Sequence, residues 1–492
     1  MLYLVLPRKL IKLLRMDKQK LHNLYFISQP PHTKALPPVL PYSAKGKMLV
    51  ASIQLLYNIL GKANRQWRSP IPNFEENPAY FNTQDILYLG YKYYQKPPYL
   101  YPESLVEYFQ KQNFEFYLPE GFRAKTTISI SAGGDLMPYE WIQKSYTQHL
   151  WDEVGEYFFN ADLVFANLET PIDPSRPPSL VPEVMLNDML FNGSEEMFEI
   201  FSGNGKFKGY DVLSTANNHS YDMGKEGIRA TIDFLEKQKV AFTGTARNEK
   251  ERENFPILER KGVRVAFIAY TYSLNKFVLP ENEKYLVNTE RLNTQTPNLE
   301  QIKQDVLQAY KRSADIVVLS LHTGNAYQPY PSEHTVEVYH RIFNECGVDI
   351  ILGSHPHNPQ PMEKYTFSCP ITKKQKQGFA IYSLADFVAY DIFVWDRLVP
   401  LLKIEIVKGN FENGDAHTQI SNIEVLPVYN WGTKNTRKGK EMRFLRLEQV
   451  VAQIKHEQLP NFLSKLCQKE ALYLHHFWRE VFGAYCNYAK KQ

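Results

Sequence analysis

Cysteine is scarce in this chain. The 492 residues hold four, Cys346, Cys369, Cys467 and Cys486, with no CxxC pair among them, which excludes a disulfide framework and a thiolate-built structural zinc site. An excess of one charge is lacking too. Lys and Arg total 57 against 53 Asp and Glu, a net of +4, too small a surplus over this length to specify a nucleic-acid partner, and none is expected. No apolar run reaches the roughly 20 residues a bilayer-crossing helix needs; the longest uncharged, mostly apolar stretch, Met48 to Gly61, has 14. There is no GxSxG elbow, and GNGKFKG near Gly203 lacks the spacing of a phosphate-cradling loop. With 43% apolar and 22% charged residues, wholesale disorder is excluded, leaving a folded chain long enough for one large domain with extensions.

The opening MLYLVLPRKLIKLLRM sets apolar residues ahead of basic ones, the reverse of a secretory signal. The expected location is therefore the cytoplasm. A basic amphipathic segment of this kind also suits weak peripheral contact with the inner membrane surface. Residues 1–124 are rich in proline and tyrosine (QPPHTKALPPVLPY, YLGYKYYQKPPYLYPESL) with only short periodic segments, and read as an irregular N-terminal extension. From Thr126 the texture changes. Short β-rich runs (TTISISA, DLVFA, YDVLSTA, VRVAFIAYT, ADIVVLSL, VDIILGS) alternate with helical segments such as GKEGIRATIDFLEKQK, in which Ile228, Ile232 and Leu235 share a face. This predicts a layered α/β domain over residues 125–437, closed by two antiparallel strands, LVPLLKIEIVKGN and HTQISNIEVLPVY. Residues 438–492 read as a helical C-terminal cap.

Metal-capable residues recur where predicted strands end. Asp135 follows TTISISA, Asn167 and Glu169 follow DLVFA, and Asn217, Asn218, His219 and Asp222 follow YDVLSTA; His322 ends ADIVVLSL, and His355 and His357 follow VDIILGS. Ligands of α/β sheets bind beyond the carboxyl ends of the strands, so these loops are expected to converge. Each has a bland alternative, since Asp135 could be a turn or helix cap, NNH a loop that satisfies its own backbone, and His322 a packed histidine. The shared position in the pattern favours one site. Two carboxylates, an amide oxygen and three imidazoles form a mixed N/O set suited to Mn, Fe or Zn. Six ligands exceed the needs of one tetrahedral ion and match two divalent ions sharing a carboxylate.

The series GDLM, ANLETPID, STANNHSYDMGKEGI, FTGTARN, ADIVVLSLHTG, VDIILGSHPHNPQPME and AIYSLADF resembles the CapA-type poly-gamma-glutamate capsule synthesis family (PGA_cap), within the calcineurin-like metallophosphatase superfamily, over roughly residues 126 to 390. The resemblance implies a four-layer αββα sandwich. It also implies that Asp135 and His357 hold a first metal, that Asn218, His322 and His355 hold a second, and that Glu169 bridges them. His219 would support a phosphoryl group or leaving oxygen, with Asp222 as its orienting partner. Met137 stands where many metallophosphatases have histidine. The chain departs from the pattern where HWGxEY becomes HTGNAY, placing Thr323 and Ala326, and where YSLGNF becomes YSLADF, placing Ala385 and Asp386. The expected function is a metal-dependent hydrolase of capsule-biosynthesis type acting on phosphoester or related bonds. Its expected substrate is a phosphorylated small molecule or anionic polymer, and capsule-synthesis subunits are the expected partners. The alternative is a non-catalytic metal-binding subunit of a polymer synthesis or export assembly.

Overall fold

The computed structural model describes residues 24–26, 43–63, 75–95, 100–389, 394–436, 439–458 and 460–490; the basic segment at residues 1–16 lies outside them. Among the described residues, no helix is long and apolar enough to cross a membrane.

The extension, expected to be irregular, contains strands β1 (Leu24–Phe26) and β2 (Leu100–Pro102) and helices α1 (Ala44–Ala63), α2 (Thr83–Gln95) and α3 (Glu103–Gln110). Its prolines flank these helices instead of interrupting them. A reciprocal cap starts α2: the Asn82 side chain accepts from the Gln84 and Asp85 amides, and the Asp85 carboxylate accepts from the Asn82 amide at 3.1 Å. Helix α3 docks through Tyr108. Tyr108 donates to the buried Glu363 carboxylate, which also accepts from Tyr382 at 2.8 Å and sits 3.1 Å from His340 Nε2.

Two sheets form the body. The first comprises β3 (Arg123–Leu136), β4 (Leu163–Leu168), β5 (Val212–Ser214), β6 (Ala241–Thr243), β13 (Leu398–Asn410), β14 (Ala416–Thr436) and β15 (Gly439–Arg446), in the order β15-β14-β13-β3-β4-β5-β6. The second comprises β7 (Ile257–Arg260), β8 (Val263–Thr271), β9 (Ile316–His322), β10 (Ile350–Ser354), β11 (Pro359–Ser368) and β12 (Gln375–Leu384), in the order β11-β12-β10-β9-β8-β7. Within each, a parallel core (β3 to β6; β12, β10, β9 and β8) carries antiparallel strands at its flanks. The inner faces meet through rings such as Phe165 on β4 and Phe267 on β8, stacked at 6.1 Å. Helix α4 (Gly224–Lys237) buries Ile228, Ile232 and Leu235 beside the first sheet, and α5 (Glu300–Lys311) covers the second. This is the αββα sandwich.

The expected antiparallel pair is β13 and β14. The cap is not wholly helical, however. EMRFLR lies in β15, where Met442 and Phe444 point inward with a period of two, and helix begins only at α6 (Leu447–Lys455), followed by α7 (Lys465–Val481) and α8 (Gly483–Ala489).

Candidate metal centre

Parallel pairing brings the strand-end residues together. Register sets Asp135 opposite Asn167 and His322 opposite Ser354. Asn167 Nδ2 then donates to Asp135 Oδ1 at 2.8 Å, and His322 Nδ1 lies 2.9 Å from Ser354 Oγ. That contact turns His322 Nε2 toward Asn218 Oδ1, 2.9 Å away, and Glu169 Oε1, 3.6 Å away. Asn275 fixes the Asn218 amide by accepting from its Nδ2 at 3.1 Å. The ligand-capable atoms of Asp135, Glu169 and His322 all lie within 4.8 Å of one another, as do those of Asp135, His357 and Asp386. Asp135 belongs to both trios. His355 belongs to neither, but its ring centroid is 5.1 Å from that of His322 and 6.1 Å from that of His357.

Asp386 was not among the predicted ligands. It follows β12, and its loop runs along the end of β3: the Asp135 amide donates to Ala385 O at 2.9 Å and the Phe387 amide to Asp135 O at 2.8 Å. Its Oδ1 is 2.9 Å from His357 Nδ1. The close approach explains the glycines before Asp135, because a Cβ on Gly134 would sit 1.8 Å from Ala385 O. Gly134→Ala is therefore expected to cost ~3 kcal/mol, the upper end of overpacking, read as a lowered urea midpoint. A loss below about 1 kcal/mol would mean that the two sheets part easily here. His355 (φ 97°), His357 (φ 63°) and Ala385 (φ 62°) all lie in the left-handed region, a strain that side chains carry chiefly where function fixes the backbone.

The chemistry of these donors suits a divalent cation. Burial, with the charges of neighbouring imidazoles, holds His322 and His355 well below the ordinary histidine range, so both are neutral, as ligands must be. Both ring nitrogens of His355 are buried without a hydrogen-bond partner, an arrangement costly for a polar group unless something else fills its valence. Burial also raises the Asp135 carboxyl, against the opposing influence of His357: in the absence of a cation, a fully enclosed acid resists ionisation. Donors that share an ion at about 2.1 Å lie about 3 Å apart, and His322 Nε2 is 2.9 Å from Asn218 Oδ1 and 3.6 Å from Glu169 Oε1. These residues could hold metal.

His219 stands beside the cluster, fixed on two sides. Its Nδ1 is 2.6 Å from Asp222 Oδ2, and its ring stacks on Phe191 at 3.8 Å. The Phe191 amide donates to the same Asp222 oxygen at 2.7 Å, which aims that carboxylate. With Nδ1–H donated to Asp222, Nε2 is left uncommitted. The other expected departures, Thr323 and Ala326, are buried in the loop after β9.

Comparisons with known proteins identify the family of the chain. Residues 129–391 match the family model described as "Bacterial capsule synthesis protein PGA_cap". The chain is 26% identical over 348 residues to the "Capsule biosynthesis protein CapA" of Bacillus anthracis, covering 67% of this chain and 78% of that one. It is 24% identical over 305 residues to the "PGA biosynthesis protein CapA" of Bacillus subtilis (strain 168), covering 61% and 72%. The matched span runs from β3 past the Asp386 loop and includes every predicted ligand. The chain belongs to the PGA_cap family of bacterial capsule synthesis proteins.

Proposed function

We propose that this capsule-biosynthesis family member is a metal-dependent hydrolase with a two-ion centre. Asp135, His357 and Asp386 would form one side of it, and Asn218, His322 and His355 the other, with Glu169 between. The observation that carries the reading is the convergence of neutral imidazoles and buried carboxylates at the carboxyl ends of β3, β4, β9, β10 and β12. Divalent ions such as Mn, Fe or Zn would supply Lewis-acid polarisation and a nucleophile at neutral pH. The protein's own part falls to His219. Its Nε2, oriented by the Asp222 contact at Nδ1, can stabilise a phosphoryl oxygen or protonate a leaving oxygen. Asp386 adds an acid on the Asp135 side, where Met137 cannot serve as a hard ligand. The substrate is a phosphoester or an anionic polymer, and other capsule-synthesis subunits are the partners.

The test is turnover of a generic phosphate ester by the manganese-loaded protein. His219→Ala is expected to lower kcat about 10²- to 10³-fold with metal content unchanged, and Asp222→Asn about 10- to 100-fold through the mis-set imidazole. A second reading, a non-catalytic metal-binding subunit, draws on the burial of every candidate ligand. A fully metallated protein without turnover would establish it.

A further inference from the structure

The extension carries an apolar face that the sandwich leaves uncovered. The uncharged stretch from Met48 to Gly61, too short to cross a bilayer, makes up most of α1. One side of this helix is packed. Its half-buried positions, Val50, Ile53, Tyr57 and Leu60, recur at spacings of three and four. Tyr57 stacks on Tyr94 of α2 at 5.9 Å, Gln95 Nε2 donates to the Gln54 carbonyl at 2.6 Å, and a Cβ on Gly61 would fall 2.3 Å from the Tyr91 ring. The helix therefore cannot roll to hide its other side without losing these contacts.

On that other side, Met48, Leu49, Leu55, Leu56 and Ile59 are 42–74% exposed. At about 3.6 residues per turn, the five share about a third of the circumference and run about 16 Å along the axis. A contiguous exposed stripe of this kind marks a contact surface. The charges around it say what it meets. None of the 20 residues of α1 is acidic, and Lys45 and Lys47 stand before the stripe and Lys62 after it, all three exposed. Glu183, which accepts from the Ser43 amide at 2.7 Å, lies against Gly46 on the packed side. A second copy of the chain is a poor match. Antiparallel pairing of two α1 helices would set Lys45 and Lys47 against Lys62, parallel pairing would set each lysine against itself, and five side chains fall short of the roughly 20–30 residues a side of a stable interface. An anionic bilayer suits both features, because the stripe can enter the acyl boundary while the lysines at its ends reach headgroup phosphates.

We infer that the outer face of α1 binds an anionic lipid bilayer, lying in the plane of its surface, with the five apolar side chains inserted and Lys45, Lys47 and Lys62 among the phosphates. Helix α1 lies outside the family match at residues 129–391, so this attachment belongs to the extension. It does not depend on the candidate metal centre.

The experiment is flotation of the full chain with vesicles of phosphatidylcholine alone or mixed with an equal part of phosphatidylglycerol. The wild type is expected to partition onto the mixed vesicles at least tenfold better than onto phosphatidylcholine. Leu55→Gln with Leu56→Gln is expected to weaken that partition at least tenfold, and Lys45→Gln with Lys47→Gln about tenfold, each with the melting temperature retained because all four side chains face water. Leu56→Trp is expected to keep or strengthen it. A wild type that stays off the mixed vesicles, or floats equally with both kinds, overturns the inference. So does a leucine variant that floats as the wild type does, since the attachment would then reside elsewhere, for instance in the basic residues 1–16. A concentration-dependent dimer in sedimentation velocity that the leucine substitutions abolish would assign the stripe to a second copy and overturn it too. If the leucine variant does not fold, the lysine variant decides.

Discussion

Asp135→Asn is expected to abolish manganese binding while leaving the metal-free fold at least as stable as the wild type. Asp135 is completely buried, shares both ligand-capable trios, and carries a carboxyl that burial raises above its ordinary value. A group whose folded pKa is raised opposes folding once ionised. The penalty is absent below the unfolded value near ~3.9 and grows as pH rises through the folded value. Asparagine removes it and can still accept from Asn167 Nδ2. At neutral pH the metal-free variant should therefore melt at or above the wild type, and at acid pH the advantage should vanish. With manganese the order reverses. At a hundredfold excess over Kd the wild type gains about 2.7 kcal/mol and the variant nothing, with turnover down on the order of 10³-fold. Because the ion must displace a proton, manganese affinity in the wild type should also rise with pH. Differential scanning fluorimetry across pH, with and without manganese, reads all of this. A variant that keeps the wild-type metal shift would remove Asp135 from the centre.

The site was legible because its chemistry is tied to strand ends, and hydrophobic runs mark strand ends well. His322 is the clearest case: it ends the mostly apolar strand run IVVLSL, which fixes where it leaves the sheet. The NNHSYD loop carried its own orienting acid three residues on, at the spacing where His219 and Asp222 now meet. Asp386 was visible only as a departure from the family pattern, since AIYSL was not read as a strand and its loop had no assigned position. Only the pairing of the Asp135 and Ala385 backbones across the two sheets puts it beside His357. The extension was misread for a different reason. Aromatic residues on both faces of TQDILYLGYKYYQ blur the helical period, although the cap at Asn82 was there to be noticed. EMRFLR failed as a helix because, in six residues, alternation and helical period compete, and the neighbouring β14 edge decides between them.

Glu470→Ala should be the most destabilising single change outside the centre, and its effect should reach the centre. Arg397 and Glu470 are fully buried and 2.6 Å apart, joining the turn before β13 to α7. Burial raises the Glu470 carboxyl despite the opposing guanidinium, so the pair stands near the limit of what its mutual attraction offsets. Removing the carboxylate strips that compensation from a guanidinium that cannot neutralise itself, at a cost of about 3–5 kcal/mol. Replacing both, as Arg397→Met with Glu470→Leu, should restore most of the loss, since apolar side chains incur no desolvation cost. Denaturant midpoints of the two singles and the double close the cycle; a Glu470→Ala loss under 1 kcal/mol would show that other partners hold Arg397. The route to the centre is short. Trp395, two residues before Arg397, stacks on Phe477 of α7, and Tyr330 donates to Glu480 O near the end of that helix. Tyr330 shares its loop with Tyr327, the ring that lies between Tyr93 and His357. Loosening α7 should therefore disturb the Tyr327–His357 stacking before it affects manganese content, because the candidate ligands follow strands and Tyr327 sits on this loop.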